Sequence, residues 1–79
     1  MTPDQAQQLI EQALTQIAPD VDIATLTPDT DLQDGIGLDS MDFLRFVEVL
    51  SEQTGEQIAE DDYPHLATLG SAVKFLAGR

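Results

Sequence analysis

The sequence predicts an all-α fold: a small four-helix bundle with three main helices and one short helix. Apolar residues recur at helical spacing in three segments, and no segment shows the alternation of apolar and polar residues that is typical of a β-strand. Turn-forming residues separate these segments. The 79 residues are enough for one small domain, so we expect a single domain over residues 1–79. The chain has no cysteine, so no disulfide can stabilise the fold, which must depend on a hydrophobic core.

The first predicted helix spans residues 2–18. Thr2 is a suitable N-cap, Pro3 suits the first helical position, and Asp4 lies near the positive end of the helix dipole. Pro19 ends the helix. One face of this helix is apolar and consists of Ala6, Leu9, Ile10, Ala13, Leu14 and Ile17.

A long loop follows over residues 19–38. It is rich in proline, aspartate and glycine, which favour turns. Apolar residues are interspersed among them, and we expect these to pin the loop to the helices: Val21, Ile23, Leu26, Leu32, Ile36 and Leu38. Long ordered loops in small domains are often functional.

The second predicted helix spans residues 40–53. Asp39 or Ser40 can cap it, Asp42 lies in its first turn, and Gly55 is a natural stop. Its expected apolar stripe is Met41, Leu44, Val47 and Leu50, widened by Phe43 and Phe46.

The pattern in the last third of the chain predicts one short helix and one longer helix. Residues 56–67 contain an acidic run and a proline, which indicate a turn followed by at most a short helix. Residues 68–77 predict the last helix, with Thr68 as its N-cap and Gly78 at its end. Its apolar stripe is Leu69, Ala72, Val73 and Leu76.

Charge and composition disfavour several functions. The chain has 15 acidic and 3 basic residues and a net charge of −12, which opposes binding to nucleic acids and to anionic membrane surfaces. No apolar stretch is long enough to span a membrane, and the N-terminus lacks the basic and apolar regions of a signal peptide. We therefore expect a cytoplasmic monomer whose partners have basic surfaces.

Neither a metal site nor an enzyme active site is expected. An EF-hand loop needs a glycine at its centre and a glutamate at its end, but a loop counted from Asp29 has Asp34 and Ser40 there. His65 is the only histidine, and no cysteine can complete a metal site with it. No nucleophile is obviously paired with this histidine.

The most informative stretch runs from Gly35 to Asp42. Two glycines loosen the backbone before a helix, and Ser40 then lies at or beside the N-cap, where we expect it to be exposed. A phosphate on its hydroxyl would lie over free backbone N–H groups at the positive end of the helix. From spacing alone, the simpler interpretation is that Ser40 only caps the helix.

The run Gly37-Leu38-Asp39-Ser40-Met41-Asp42 resembles the phosphopantetheine attachment motif of acyl carrier proteins. Ile58 and the acidic Glu60-Asp61-Asp62 are similar to another segment of that family, and residues 68–73 resemble the start of its last helix. The resemblance covers nearly the whole chain and implies a four-helix carrier fold. It also implies that a phosphopantetheinyl transferase, using coenzyme A, attaches 4′-phosphopantetheine to Ser40.

The resemblance also implies roles for residues around this serine. Asp39 would cap the helix or be recognised by the transferase. Enzymes with basic patches would dock on the second helix, through Met41, Asp42, Arg45, Glu48 and Glu52. Arg45 stands where fatty-acid carriers commonly have a glutamate, and Ala59 replaces a usual proline. These departures favour a specialised stand-alone carrier with its own enzymes.

Three functions remain open from the sequence. The first is a carrier of acyl thioesters in fatty-acid, lipid or related biosynthesis. The second is a peptidyl or polyketide-type carrier of a secondary pathway. The third is an acidic helical adaptor without an arm. The apolar arc of the second helix includes Phe43, Phe46, Val47 and Val49, and we expect most of these residues to belong to the core. For a carrier, we expect part of this arc to flank a pocket for an acyl chain together with Leu50 and Leu69.

Overall fold

Three α-helices and two 3-10 helices form the fold in the computed structural model, which describes residues 1–78. In chain order they are α1 (Pro3–Ile17), η1 (Ile23–Thr25), α2 (Ser40–Thr54), η2 (Glu60–Leu66) and α3 (Leu69–Ala77). The predicted short helix is η2. Within residues 1–78 the only β-type pairing is an isolated antiparallel bridge between Asp31 and Thr68. The predicted all-α class is confirmed.

Side-chain caps begin the three α-helices at the predicted places. Thr2 Oγ1 accepts from the backbone N–H of Gln5 at 3.1 Å, and the Gln5 side chain accepts from the N–H of Thr2. Thr68 caps α3 in the same reciprocal way with Ser71. These caps satisfy backbone donors that a helix leaves without partners.

The structure selects Asp39 over Ser40 as the cap of α2. Asp39 Oδ1 accepts from the backbone N–H of Asp42 at 2.8 Å, which leaves Ser40 as the first residue of the helix. At the other end Gly55 adopts a left-handed conformation with φ of 71° and stops the helix, as predicted.

The core lies where α1 packs against both α2 and α3. Its largest wholly buried side chains come from every major element and from the loop before α2: Ile10, Leu14, Leu32, Phe46, Leu50, Leu66 and Leu76. No buried side-chain polar atom within residues 1–78 lacks a hydrogen-bond partner. None of the buried residues within residues 1–78 is polar or charged, so apolar contacts alone form the core.

The predicted apolar stripe of α2 is wrong at two positions. Met41 is 74% exposed and Leu44 is 45% exposed. The buried face consists instead of Phe43, Phe46, Val47 and Leu50. Both sets of residues have helical spacing. The set with the two phenylalanines faces the core, because aromatic rings bury more apolar area than the side chains of methionine and leucine.

The long loop before α2 is held to the start of α3 by backbone hydrogen bonds. The N–H of Leu32 donates to the carbonyl of Ala67 at 2.9 Å, and the N–H of Leu69 donates to the carbonyl of Thr30 at 3.0 Å. Leu32 itself is wholly buried, and Leu38 is nearly so. Backbone hydrogen bonds and buried leucines therefore hold the loop against the helices, as its apolar residues predict.

Asp31 organises the turn at the centre of this loop. Its Oδ1 atom accepts from the backbone N–H groups of Gln33 and Asp34, both at 2.8 Å. These two hydrogen bonds, first that from Gln33, lower the pKa of the Asp31 carboxyl. A Cβ atom on Gly35 would lie 2.7 Å from the Asp31 carbonyl oxygen, so the turn requires glycine there.

We expect Asp31→Asn to lower the free energy of unfolding at pH 7, because an amide oxygen accepts these bonds more weakly than a carboxylate. The lowered pKa of Asp31 means that its contribution is present above the unfolded-state pKa and is lost as the pH falls through the folded-state value. Urea unfolding of both proteins from pH 7 to below pH 3.8, the ordinary pKa of the group, measures this. A stability difference that does not shrink on acidification contradicts the assignment.

Asp39→Ala should destabilise the protein by about 1 kcal/mol relative to Asp39→Asn, because asparagine keeps the N-cap acceptor and alanine removes it. Both variants remove the same charge, so their difference isolates the cap from the repulsion among carboxylates. Thermal or urea unfolding followed by circular dichroism measures it. Equal stability of the two variants would show that the hydrogen bond to Asp42 does not stabilise α2.

Candidate functional site

Ser40 is exposed and occupies the first position of α2. The chain reaches it through a tight turn, in which the N–H groups of Gly37 and Leu38 both donate to the carbonyl of Gln33. Gly37 has φ of 85°, a conformation that favours glycine, and Leu38 is buried next to it. The turn and the buried leucine thus fix where the exposed serine begins the helix.

The start of α2 offers donors to a group attached at this serine. Asp39 takes two of the first N–H groups: its side chain accepts from Asp42 and its carbonyl from Phe43. The N–H groups of Ser40 and Met41 make no hydrogen bond within residues 1–78. A phosphate on Ser40 would therefore find two free donors and the positive end of the helix dipole. The site fits a phosphate-linked group.

Four of the five predicted docking residues share one exposed face of α2. Met41, Arg45, Glu48 and Glu52 are all exposed and recur at helical spacing. Asp42 is half-buried and lies to one side of this face. Sequence reasoning missed Leu44, which also belongs to the face, because its apolar side chain was assigned to the core. We call Met41, Leu44, Arg45, Glu48 and Glu52 the outer face of α2.

Arg45 is a cation within an acidic surface. Asp42 and Glu48 each lie three positions from it along the helix, yet Arg45 makes no ion pair within the described part of the chain. Its guanidinium therefore remains available to an acceptor on another molecule.

A groove of about 400 Å³ runs between α2 and η2. Its lining is Leu44, Val47, Glu48, Ser51, Glu52, Ile58 and Tyr63. Behind it the Phe43 ring contacts Tyr63 edge-on, with ring centroids 5.7 Å apart, and lies 6.1 Å from the ring of Phe46. These ring contacts join α2 to η2.

Of the residues predicted to flank an acyl pocket, Val47 is the one that lines the groove between α2 and η2. Phe46 and Leu50 are wholly buried in the core rather than lining a cavity. Leu69 lines a different cleft of about 630 Å³, which lies between the start of α1, the loop and α3. The prediction joined residues on two sides of the bundle, because helical periodicity does not reveal which helices a residue faces.

The described residues contain no group of three or more side chains that could hold a metal ion. His65 is exposed and stacks on Phe75, with ring centroids 5.5 Å apart. Within residues 1–78 no helix is long and apolar enough to cross a bilayer.

The fold is similar to that of a known carrier. A solved structure of the acyl carrier protein from Enterococcus faecalis superposes with a TM-score of 0.75 and 22% sequence identity. The match covers 99% of this chain and 98% of that one. The bundle and its loop therefore have the acyl carrier protein fold.

A family model described as the phosphopantetheine attachment site matches residues 7–76, which include the whole of α2 and the turn before it. That family is defined by a covalently attached 4′-phosphopantetheine, and the start of α2 has the exposed hydroxyl and the free N–H donors that such a group needs. The chain therefore belongs to the phosphopantetheine-binding family of acyl carrier proteins.

Proposed function

We propose that Ser40 carries the 4′-phosphopantetheine arm and that residues 1–79 act as one carrier domain. The observation that carries this proposal is the exposed hydroxyl of Ser40 beside two free N–H donors at the start of α2. A phosphopantetheinyl transferase would bind this end of the helix. The Ser40 oxygen would attack the phosphorus that bears the pantetheine in coenzyme A. The pyrophosphate bond would break, the adenosine bisphosphate would leave, and the serine proton would be lost.

The arm ends in a thiol that holds acyl groups as thioesters. Tethering raises the local concentration of the acyl group at each enzyme that docks, so the chain acts as a carrier and not as a catalyst. A net charge of −12 accelerates the approach of basic enzyme surfaces. Docking of this kind is weak and sensitive to salt.

The outer face of α2 is the proposed docking surface. Glu48 and Glu52 suit basic patches, and the exposed Met41 and Leu44 supply apolar contact next to the serine. Arg45 opposes enzymes whose patch is purely basic, and it favours partners that also present an acceptor. Asp39 and Asp42 lie closest to the serine and are proposed to contact the transferase.

We propose a cytoplasmic monomer that serves fatty-acid, lipid or related biosynthesis with its own set of enzymes. A peptidyl or polyketide-type carrier is a second candidate, favoured by the charge of Arg45 and by the polar side chains that line the groove of α2. An adaptor without an arm predicts that Ser40 is never modified.

Incubation with coenzyme A, magnesium and a broad-specificity phosphopantetheinyl transferase should add the mass of one 4′-phosphopantetheine group to the protein, as measured by intact-mass spectrometry. Ser40→Ala should gain no mass while keeping the same helical circular dichroism spectrum, because Ser40 is exposed and does not cap α2. Absence of a gain in a folded protein that carries no arm beforehand would contradict the proposed function.

Arg45→Glu should increase kcat/KM with fatty-acid synthesis enzymes that have basic docking patches. The expected gain is about 1.4- to 5-fold at low salt, because exposed charge pairs contribute about 0.2–1 kcal/mol. Arg45→Gln, which removes the charge without reversing it, should give a smaller gain. The effect should fall as the salt concentration rises. Unchanged or lower turnover by Arg45→Glu would show that this residue does not discriminate among partners.

A further inference from the structure

Met41 has the most exposed large apolar side chain in residues 1–78. It is 74% exposed, whereas Met1 and Leu44, the other two exposed large apolar residues of this part of the chain, are each 45% exposed. The chain has no cysteine, no tryptophan and only two methionines. An oxidant that meets the unmodified chain therefore reacts at a methionine sulfur, and Met41 is the more accessible of the two.

Met41 follows the proposed attachment serine directly and is the second residue of α2. Side chains of an α-helix lean towards the N-terminal end of the helix, so the Met41 thioether leans towards Ser40. Met1 lies elsewhere, because it lines a small cavity with Thr54, the last residue of α2. The two ends of this helix of 15 residues are roughly 20 Å apart. Met41 is thus the methionine at the site, and Met1 is remote from it.

Oxidation would give this side chain a strong hydrogen-bond acceptor. Hydrogen peroxide transfers one oxygen atom to the sulfur, which becomes a sulfoxide; the O–O bond breaks and water leaves. The N–H groups of Ser40 and Met41 make no hydrogen bond within residues 1–78. They are the donors that a phosphate on Ser40 would use. A sulfoxide oxygen on Met41 therefore competes with that phosphate for them.

Oxidation would also remove apolar contact from the outer face of α2. Met41 and Leu44 are the apolar members of this face, and its other three residues are charged. A protein that reaches Ser40 must cover the neighbouring Met41. Covering a sulfoxide strips water from a polar group, and a surface that fits a thioether offers that group no donor in return. The oxidised carrier therefore binds its partners more weakly.

The fold does not depend on the Met41 thioether. The side chain that caps α2 is Asp39, which accepts from the N–H of Asp42. The buried residues of α2 begin at Phe43 and do not include Met41. Oxidation at this position therefore changes the surface beside Ser40 and leaves the packing of the core as it is.

We propose that Met41 is a site of reversible oxidation, and that its sulfoxide slows attachment of the arm and docking on the outer face of α2. The inference rests on the proposed attachment at Ser40. Methionine sulfoxide reductases reverse the change: a dithiol is oxidised to a disulfide, the thioether is restored, and the oxygen leaves as water. Oxidising conditions would thus switch the carrier off without damaging its fold.

Timed oxidation of the protein without its arm tests the site. Hydrogen peroxide is added and then removed with catalase, and peptide mass spectrometry locates the added oxygen. The arm is absent at this stage because its thiol would also be oxidised. We expect Met41 to gain oxygen before Met1, with no change in the helical circular dichroism spectrum or in Tm. Slower oxidation of Met41 than of Met1, or loss of helix on oxidation, would contradict the inference.

The rate of arm attachment tests the consequence. A phosphopantetheinyl transferase and coenzyme A are added to reduced and oxidised protein, and intact-mass spectrometry follows the gain of the arm. We expect kcat/KM to fall about fivefold or more on oxidation, because covering a polar group without a hydrogen-bond partner weakens binding by about that factor. Treatment with the two reductases, one for each sulfoxide epimer, should restore the rate.

Met41→Leu is the matched control. Met1 is its remaining methionine, so peroxide should not change its rate of arm attachment, measured against the same variant before treatment. Amide NMR gives an independent readout in the wild type. Oxidation should shift the N–H signals of Ser40 and Met41 downfield, and should leave those of α1 and α3 in place.

The outcomes separate the two proposals. No fall in rate on oxidation, an equal fall in Met41→Leu, or unshifted signals of Ser40 and Met41 would overturn the oxidation switch and leave the attachment at Ser40 intact. A reduced, folded protein that gains no arm would overturn both.

Discussion

The hydrogen-bonded pairing between the long loop and the start of α3 is the constraint on which the functional site depends. Two backbone bonds join Leu32 to Ala67 and Leu69 to Thr30, and so hold together segments that are far apart in sequence. The turn around Asp31 begins at this pairing and ends at the helix cap. Without the pairing, the loop would retain local turns but would not present the start of α2 in a fixed position.

Side-chain volume determines which face of α2 is buried and which is exposed. The phenylalanines at 43 and 46 fill the core against α1 and η2, which turns Met41 and Leu44 outward. The same rotation brings apolar contact, the charge of Arg45 and two carboxylates onto one surface next to Ser40. The packing of the core thus determines which residues form the outer face of α2.

Excess negative charge shapes how the carrier works with other proteins. Fifteen acidic residues speed the approach of basic surfaces, but they discriminate little among those surfaces. Under the proposed function, features that interrupt this pattern discriminate among partners, and Arg45 is the clearest of them.

The helices, most of their ends and the candidate serine could be predicted from local sequence, because caps, periodicity and breaker residues act over a few neighbouring positions. It predicted Thr2, Thr68 and Gly55 correctly as helix ends. Tertiary structure decided which set of apolar residues α2 buries and which side chains form the groove with η2. It also decided how the loop joins α3. These depend on volumes and hydrogen bonds between segments distant in the chain, which local spacing does not encode.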